Sequence, residues 1–200
     1  MEPNETNMSH MRYDCFMSNS AKNTSKQALI ESAVATLAQK PGASLSEIAT
    51  RAGVGRATLY RYFPSRDVLI RELALEAIEA IDRVTARISS QNLSSQDALL
   101  ALLEGVVPLG DRFHFLDSEP SAYNDPDVAA AYDRQMAELD EFVTILKQDG
   151  AIALDVPNAW VTAAIDALIW AAWSSVQIGD VARKDAALLA YRTLLKGLSS

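Results

Sequence analysis

Apolar residues recur along most of this chain with the period of an α-helix, and no segment shows the two-residue alternation of a strand. Spacings of three, four and seven residues are those of a helix with one buried side. The pattern therefore predicts an all-α fold. The predicted helices cover 25–39, 45–52, 56–63, 66–88, 96–109, 125–148, a segment starting at 155–158, and 183–198, with a short aromatic segment at 112–116 and loops at 89–95 and 117–123.

Two of these helices lie very close together, within residues 45–66. Ser44 and Glu47 have the spacing of a capping box, in which each side chain satisfies a backbone N–H at the helix start. Gly53 follows the first helix, where a left-handed residue ends a helix without strain. About three residues separate the two helices, which is the turn length of a helix-turn-helix motif.

The second helix of the pair has two different edges. Leu59 and Phe63 fall on one apolar edge, and Pro64 ends the helix because it disfavours helix at the residue before it. The opposite edge centres near Arg61. Such a helix can anchor in a core and lie in a DNA major groove. The outward positions are those of Ala57, Thr58, Tyr60 and Arg61.

The same pattern is compatible with a helical hairpin on the surface of a ligand-binding or scaffold protein, contacting a protein partner. Charge favours DNA. Residues 25–71 hold seven Lys/Arg and three Asp/Glu, a net charge of +4, while residues 72–200 hold nine and twenty, a net charge of −11. A basic segment on a chain whose overall charge is −8 is the footprint expected of a local DNA-binding domain.

The segment Thr58-Leu59-Tyr60-Arg61-Tyr62-Phe63-Pro64-Ser65-Arg66, preceded by Ala52-Gly53-Val54, resembles the TetR family of bacterial transcriptional regulators. The resemblance covers about residues 25–71. It implies a homodimer with an N-terminal DNA-binding domain, a double-stranded operator as partner, and a C-terminal domain that binds a small-molecule effector. We therefore expect a repressor that a small, largely apolar ligand releases from a palindromic operator. Gly55 departs from the serine that many members carry there. The resemblance implies DNA contacts at Ser44, Arg56, Thr58, Tyr60, Arg61, Tyr62 and Arg66, and we add Ala57 from its outward position.

The C-terminal part offers a ligand pocket and a dimer interface rather than catalytic chemistry. The last two helices, one with a stripe of small residues at Ala163, Ala167 and Ala171, are the predicted dimer interface. Asp166 is a candidate anchor for a cation in a largely apolar pocket. Plain core packing is the alternative for any single lining residue. The candidate pocket residues are Phe113, His114, Phe115, Tyr123, Met136, Phe142, Asp166, Trp170 and Trp173.

Other functions find little support in the residues. His10 and His114 are too isolated for a metal site or a catalytic triad, Cys15 is the only cysteine, and phosphate-binding loops are missing. We expect no enzyme activity, metal or cofactor. We also expect a disordered tail at 1–24 with possible starts at its methionines, and a cytoplasmic protein without a membrane span, with domains at 25–71 and 72–200.

Overall fold

The computed structural model describes residues 26–198. The predicted disorder of residues 1–24 and the alternative start positions lie outside this range. All regular structure within the described range is helical, which confirms the predicted all-α class. The α-helices are α1 (26–39), α2 (Leu45–Arg51), α3 (Arg56–Tyr62), α4 (Arg66–Ser89), α5 (Ser95–Val106), α6 (Gly110–Phe113), α7 (Pro126–Gln148), α8 (Asn158–Gln177) and α9 (Arg183–Leu198).

The chain divides into two compact units, the first ending at Leu69 and the second beginning at Ile70. In the first unit the apolar faces of α1, α2 and α3 are buried, as the period of their sequences requires. Gly53 has φ 67°, a left-handed conformation that lets the chain turn between α2 and α3. The fully buried side chains of this unit include Leu37, Ile48, Leu59, Phe63 and Leu69.

The second unit has its own core, to which α5, α7, α8 and α9 each contribute one apolar side. The N-terminus of α7 is capped by Asp125, whose carboxylate accepts from the backbone N–H groups of Asp127 and Val128. Part of α4 packs against the same core through Ile81, Val84 and Ile88. The buried residues of this core include Leu99, Leu103, Val106, Val143, Leu146, Val161, Ile165, Ala190 and Leu194.

The region between α5 and α7 differs from the sequence prediction. The helix expected to reach Leu109 ends at Val106, and a 3₁₀ turn, Val107–Leu109, follows. Pro108 explains this ending, because proline lacks the N–H that an α-helix needs. The prediction of a loop at 117–123 is wrong, since Pro120–Asn124 is a 3₁₀ helix and another covers His114–Ser118. Such short turns bury no periodic apolar face, so periodicity does not detect them.

Helix α8 is unusually apolar. Among residues 26–198 it alone has the length and composition that would suffice to cross a membrane. Val161, Ile165 and Ile169 on one side are buried in the core of the second unit. The opposite side is uncovered, with Trp160 64% exposed and Trp170 36% exposed. Its apolar character is therefore explained only in part by the core of one chain.

Candidate nucleic-acid interface and ligand cavity

Helix α3 has the two edges that its sequence predicts. Leu59 and Phe63 are completely buried, while Arg56, Ala57 and Arg61 are exposed. Tyr60 is 45% exposed, and Thr58 and Tyr62 are half-buried. The buried edge fixes the helix in its unit. The free edge presents two cations, a phenol and a small side chain, and α3 contains no acidic residue.

Two of these side chains support one another. The Arg61 guanidinium lies 5.2 Å from the centre of the Tyr62 ring, which is a cation–π distance. The Tyr62 ring in turn lies 6.4 Å from the ring of the buried Phe63. Arg61 thus lies over a ring that itself packs near the core residue Phe63.

Ser44 and Glu47 form the predicted capping box at the start of α2. The Ser44 backbone N–H donates to Glu47 Oε2 at 2.8 Å, and the Glu47 N–H donates to Ser44 Oγ at 3.3 Å. A hydrogen bond from Lys40 and those from Ser44 lower the pKa of Glu47 from 4.5 to about 2. The Ser44 hydroxyl also donates to Glu47, so its first role here is to cap the helix.

Arg66, predicted as a DNA contact, directs its guanidinium into its own unit. Its Nη2 donates to the backbone carbonyl of Pro41 at 2.8 Å, and its Nη1 donates to the carbonyl of Ala43. These carbonyls belong to the connection between α1 and α2, directly before the capping serine. Arg66 therefore ties the first turn of α4 to the start of the helix-turn-helix, a structural function that the sequence does not reveal.

The second unit contains a cavity of about 720 Å³, a size typical of small-molecule sites. Most of its wall is apolar, contributed by α4, α5, α7 and α8, and by residues between α5 and α7. Its charged groups are three carboxylates, those of Asp82, Glu138 and Asp166, and the guanidinium of Arg134. The wall thus carries an excess of negative charge. Burial raises the pKa of Tyr132, with smaller contributions from Asp166 and Asp133, so this phenol stays neutral.

Five of the nine predicted pocket residues line this cavity and four do not. Phe113, Tyr123, Met136, Phe142 and Asp166 are in its wall. The Tyr123 ring also packs edge-on against Tyr132, with centres 5.1 Å apart. The residues outside the lining are His114, Phe115, Trp170 and Trp173.

These four residues lie outside the lining of this cavity and have other neighbours. Phe115 is completely buried. The His114 ring lies 4.4 Å from the rings of both Trp170 and Trp173, and Trp173 Nε1 donates to Asp111 at 2.9 Å. His114 and the two indoles of α8 thus form an aromatic cluster beside this cavity's wall, for which plain packing is one interpretation.

Sequence reasoning missed part of the cavity wall, including Asp82, Tyr132, Arg134 and Gln135. The sequence contains one indication of this polar part of the wall. Gln135 lies three residues after Tyr132 and four before Leu139, so it interrupts the apolar stripe of α7 with an amide. A polar residue at a core position needs a hydrogen-bonding partner, and this one is 9% exposed.

Together the fold and these two sites define a helix-turn-helix DNA-binding protein with a separate helical unit that contains a ligand-sized cavity. The family model for bacterial regulatory proteins of the tetR family matches residues 29–73. The chain is 30% identical over 165 residues to the HTH-type transcriptional repressor LfrR of Mycolicibacterium smegmatis, covering 82% of each sequence. It is 23% identical over 176 residues to the HTH-type transcriptional regulator NfxB of Pseudomonas aeruginosa, covering 87% of this chain and 94% of NfxB.

Solved structures agree with the sequence comparison. The crystal structure of the TetR-like regulator LfrR from Mycobacterium smegmatis in complex with proflavine aligns with a TM-score of 0.75 at 28% identity, covering 90% of this chain and 99% of LfrR. The chain belongs to the TetR family of bacterial transcriptional regulators. It is a DNA-binding transcriptional regulator.

Proposed function

We propose that two copies of this chain bind a palindromic operator, with one α3 in each of two successive major grooves about 34 Å apart. The observation that carries this proposal is the exposed face of α3, on which cationic and hydrogen-bonding side chains surround the small Ala57. Side chains of this kind can meet base edges and phosphates at the same time. Gly55 precedes α3 without a side-chain cap, which leaves backbone N–H groups at the helix start for a phosphate.

The proposed contacts divide by chemistry. Arg61, Thr58 and Arg56 read or approach bases, and Ala57 allows close approach of the helix. Tyr60 and Tyr62 hold phosphates through their hydroxyl groups. Ser44 does the same once its hydroxyl exchanges Glu47 for a phosphate as acceptor. We place Arg66 among the residues that position the motif, because its guanidinium donates to the carbonyls of Pro41 and Ala43.

The proposed dimer interface is the uncovered face of α8 together with α9. The small residues Ala163, Ala167 and Ala171 are exposed along α8, so a second helix can approach its backbone closely. On α9, Leu188 and Leu189 are 41% and 47% exposed. Apolar surface of this extent on one chain is typical of an interaction site. Two copies would cover it by forming a four-helix bundle.

For the ligand we propose a flat, largely apolar molecule that carries a positive charge. The cavity supports an apolar ligand through Phe113, Met136 and Phe142, and a cation through Asp166 and the nearby ring of Tyr132. Proflavine, named in the complex of the similar LfrR, is a cationic aromatic amine. The ligand would release the operator by favouring a state in which α4, which lines the cavity, moves the recognition helices out of register.

Fluorescence titration of the full chain with proflavine tests this ligand class. We expect Asp166→Asn to weaken binding by about tenfold, the order of one partly desolvated charge contact. The matched control is Asp133→Asn, an exposed acid of α7 outside the cavity wall. Equal affinities for both variants and wild type would contradict a role for Asp166 as counter-ion. If proflavine does not bind at all, the ligand class is wrong.

We also propose that the protein acts in the cytoplasm, where bacterial operator DNA is found. The apolar helix α8 then has its second partner in another copy of the chain rather than in a lipid bilayer. Asp166 in the middle of α8 favours this proposal, since a carboxylate is costly at the centre of a membrane.

A further inference from the structure

One polar cluster in the cavity wall links α4 directly to α7. The Gln135 amide donates to the backbone carbonyl of Ile78 at 2.8 Å and to Asp82 Oδ1 at 2.6 Å. Arg134 Nη2 donates to Asp82 Oδ2 at 2.7 Å, and its Nη1 donates to Glu138 at 3.1 Å. Both carboxylate oxygens of Asp82 are therefore held by α7. All five residues line the cavity.

The cluster is built into the protein rather than lying freely on its surface. Gln135 is buried, and losing its partners would leave an amide without hydrogen bonds in a mainly apolar wall. Burial raises the pKa of Asp82, but hydrogen bonds from Arg134 and Gln135 outweigh it and the pKa is lowered. Asp82 is thus a carboxylate at neutral pH, and α7 supplies the groups that stabilise its charge.

A second ion pair joins the same two helices away from the cavity. Arg71 of α4 contacts the cap residue Asp125 with 3.2 Å between Nε and Oδ2, and also pairs with Asp127 in the first turn of α7. None of these three residues lines the cavity. The two α4–α7 links therefore share their helices and their arginine–aspartate chemistry, and differ in whether a ligand can reach them.

We propose that Asp82, Arg134 and Gln135 form a latch that holds α4 against α7 in the operator-binding state and opens when a ligand in the cavity pairs with Asp82. This inference rests on the proposed function of the cavity and names the group through which occupancy is sensed. The ligand chemistry that opens the latch is a cation or a hydrogen-bond donor. A cation or donor at Asp82 competes with Arg134 and Gln135 for the carboxylate, and so weakens its contacts with α7.

The latch has a consequence that needs no ligand to observe. A ligand changes an equilibrium only by its different affinity for the two states, so a mutation that weakens the latch shifts the same equilibrium towards the released state. Operator affinity of a latch variant must then fall in the absence of any small molecule. The Arg71 link is unchanged by the ligand in this mechanism, so breaking it has little effect on operator affinity.

The test compares Arg134→Gln with the matched Arg71→Gln in the full-length chain. Both arginines are partly exposed, so both variants are expected to fold, and a thermal melt checks this. Affinity is measured without ligand on a labelled duplex selected by the wild-type protein. We expect about tenfold weaker binding for Arg134→Gln, within the usual range of allosteric coupling, and a change below about twofold for Arg71→Gln. Gln135→Leu, which removes the amide at similar volume, should behave like Arg134→Gln.

Each outcome has a clear meaning. Wild-type affinity in both latch variants would overturn the latch, as would an equal loss in Arg71→Gln, because that result indicates general loosening of α4 from α7. If the wild-type protein selects no duplex, the proposed function fails and the latch fails with it. A latch variant that binds operator weakly while keeping the wild-type melting temperature supports the inference.

Discussion

Helices α3 and α8 both leave one side uncovered, but the two exposed faces have opposite chemistry. On α3 the free face is cationic and hydroxylated, with Arg56, Tyr60 and Arg61 exposed. On α8 it is apolar, with two exposed indoles and a row of alanines. Polar and charged side chains are favourably hydrated, so the first face is stable in water, whereas exposing the second, apolar face to water is unfavourable. The comparison suggests two different occupants, a polyanion for α3 and another copy of the same apolar surface for α8.

The largest expected effect comes from placing a charge on the α8 face. Ala167→Arg puts a guanidinium at an exposed position of the small-residue stripe, so the single chain should still fold. We expect a monomer by light scattering and a loss of operator affinity of at least about 100-fold, because linked binding of two half-sites is removed. Ala130→Arg, on an exposed position of α7, is the control. A dimer that persists in Ala167→Arg would move the interface elsewhere.

The next largest effect is expected on stability, from a substitution that disturbs the buried side of α8. A Cβ atom added to Gly110 would lie 2.2 Å from Cδ1 of Trp173, so Gly110→Ala must displace an indole that is packed and hydrogen-bonded. We expect a loss of about 1–3 kcal/mol in the free energy of unfolding, measured by urea denaturation. Gly197→Ala meets no atom within 4 Å and should show no such loss. Equal stability of the two variants would mean that the indole moves freely.

Substitutions of two arginines test which side chains near α3 contact DNA. Arg56, which we place near the bases, also brings its charge close to the phosphates, so Arg56→Gln should reduce the slope of log affinity against log salt by up to about 0.9. Arg66→Gln should instead keep the wild-type slope and lower the melting temperature, because its guanidinium holds the carbonyls of Pro41 and Ala43. Salt titrations of operator binding and thermal melts measure both effects. A reduced slope in Arg66→Gln would return Arg66 to the DNA contacts.

The smallest effect concerns the cap of α2. Because the pKa of Glu47 in the folded protein is lowered to about 2, its contribution to stability is present above pH 4.5 and is lost as the pH falls through 2. Glu47→Gln should therefore melt at a slightly lower temperature than wild type at pH 7, and the difference should vanish near pH 2. A difference that does not depend on pH would show that the charge of Glu47 is not involved.

The same two regions differ in how much their sequence predicts. In α3 the period places Leu59 and Phe63 on the buried edge, and the spacing of Ser44 and Glu47 specifies the capping box, since both depend on neighbours a few residues apart. The partners of Arg66 lie more than twenty residues away in the chain. Periodicity carries no information about such contacts.

The cavity shows this limit most clearly. Composition selects aromatic residues as candidates for the cavity wall. Trp173 lies outside that wall and donates a hydrogen bond to Asp111, 62 residues earlier, and Phe115 is buried outside the lining. Conversely, Asp82 enters the site through partners that lie more than 50 residues away. Which face of each helix borders a cavity depends on the packing of the others, and only the fold supplies it.

Selection of bound duplexes from a random pool, performed with wild type, Tyr60→Ala and Arg61→Ala, tests the central claim most directly. We expect wild type to enrich a palindromic consensus. Tyr60→Ala should weaken binding to all sequences similarly, whereas Arg61→Ala should relax discrimination at one position of each half-site by about 1–3 kcal/mol. An enriched sequence that both variants bind as wild type does would contradict the assignment of α3 as the recognition helix.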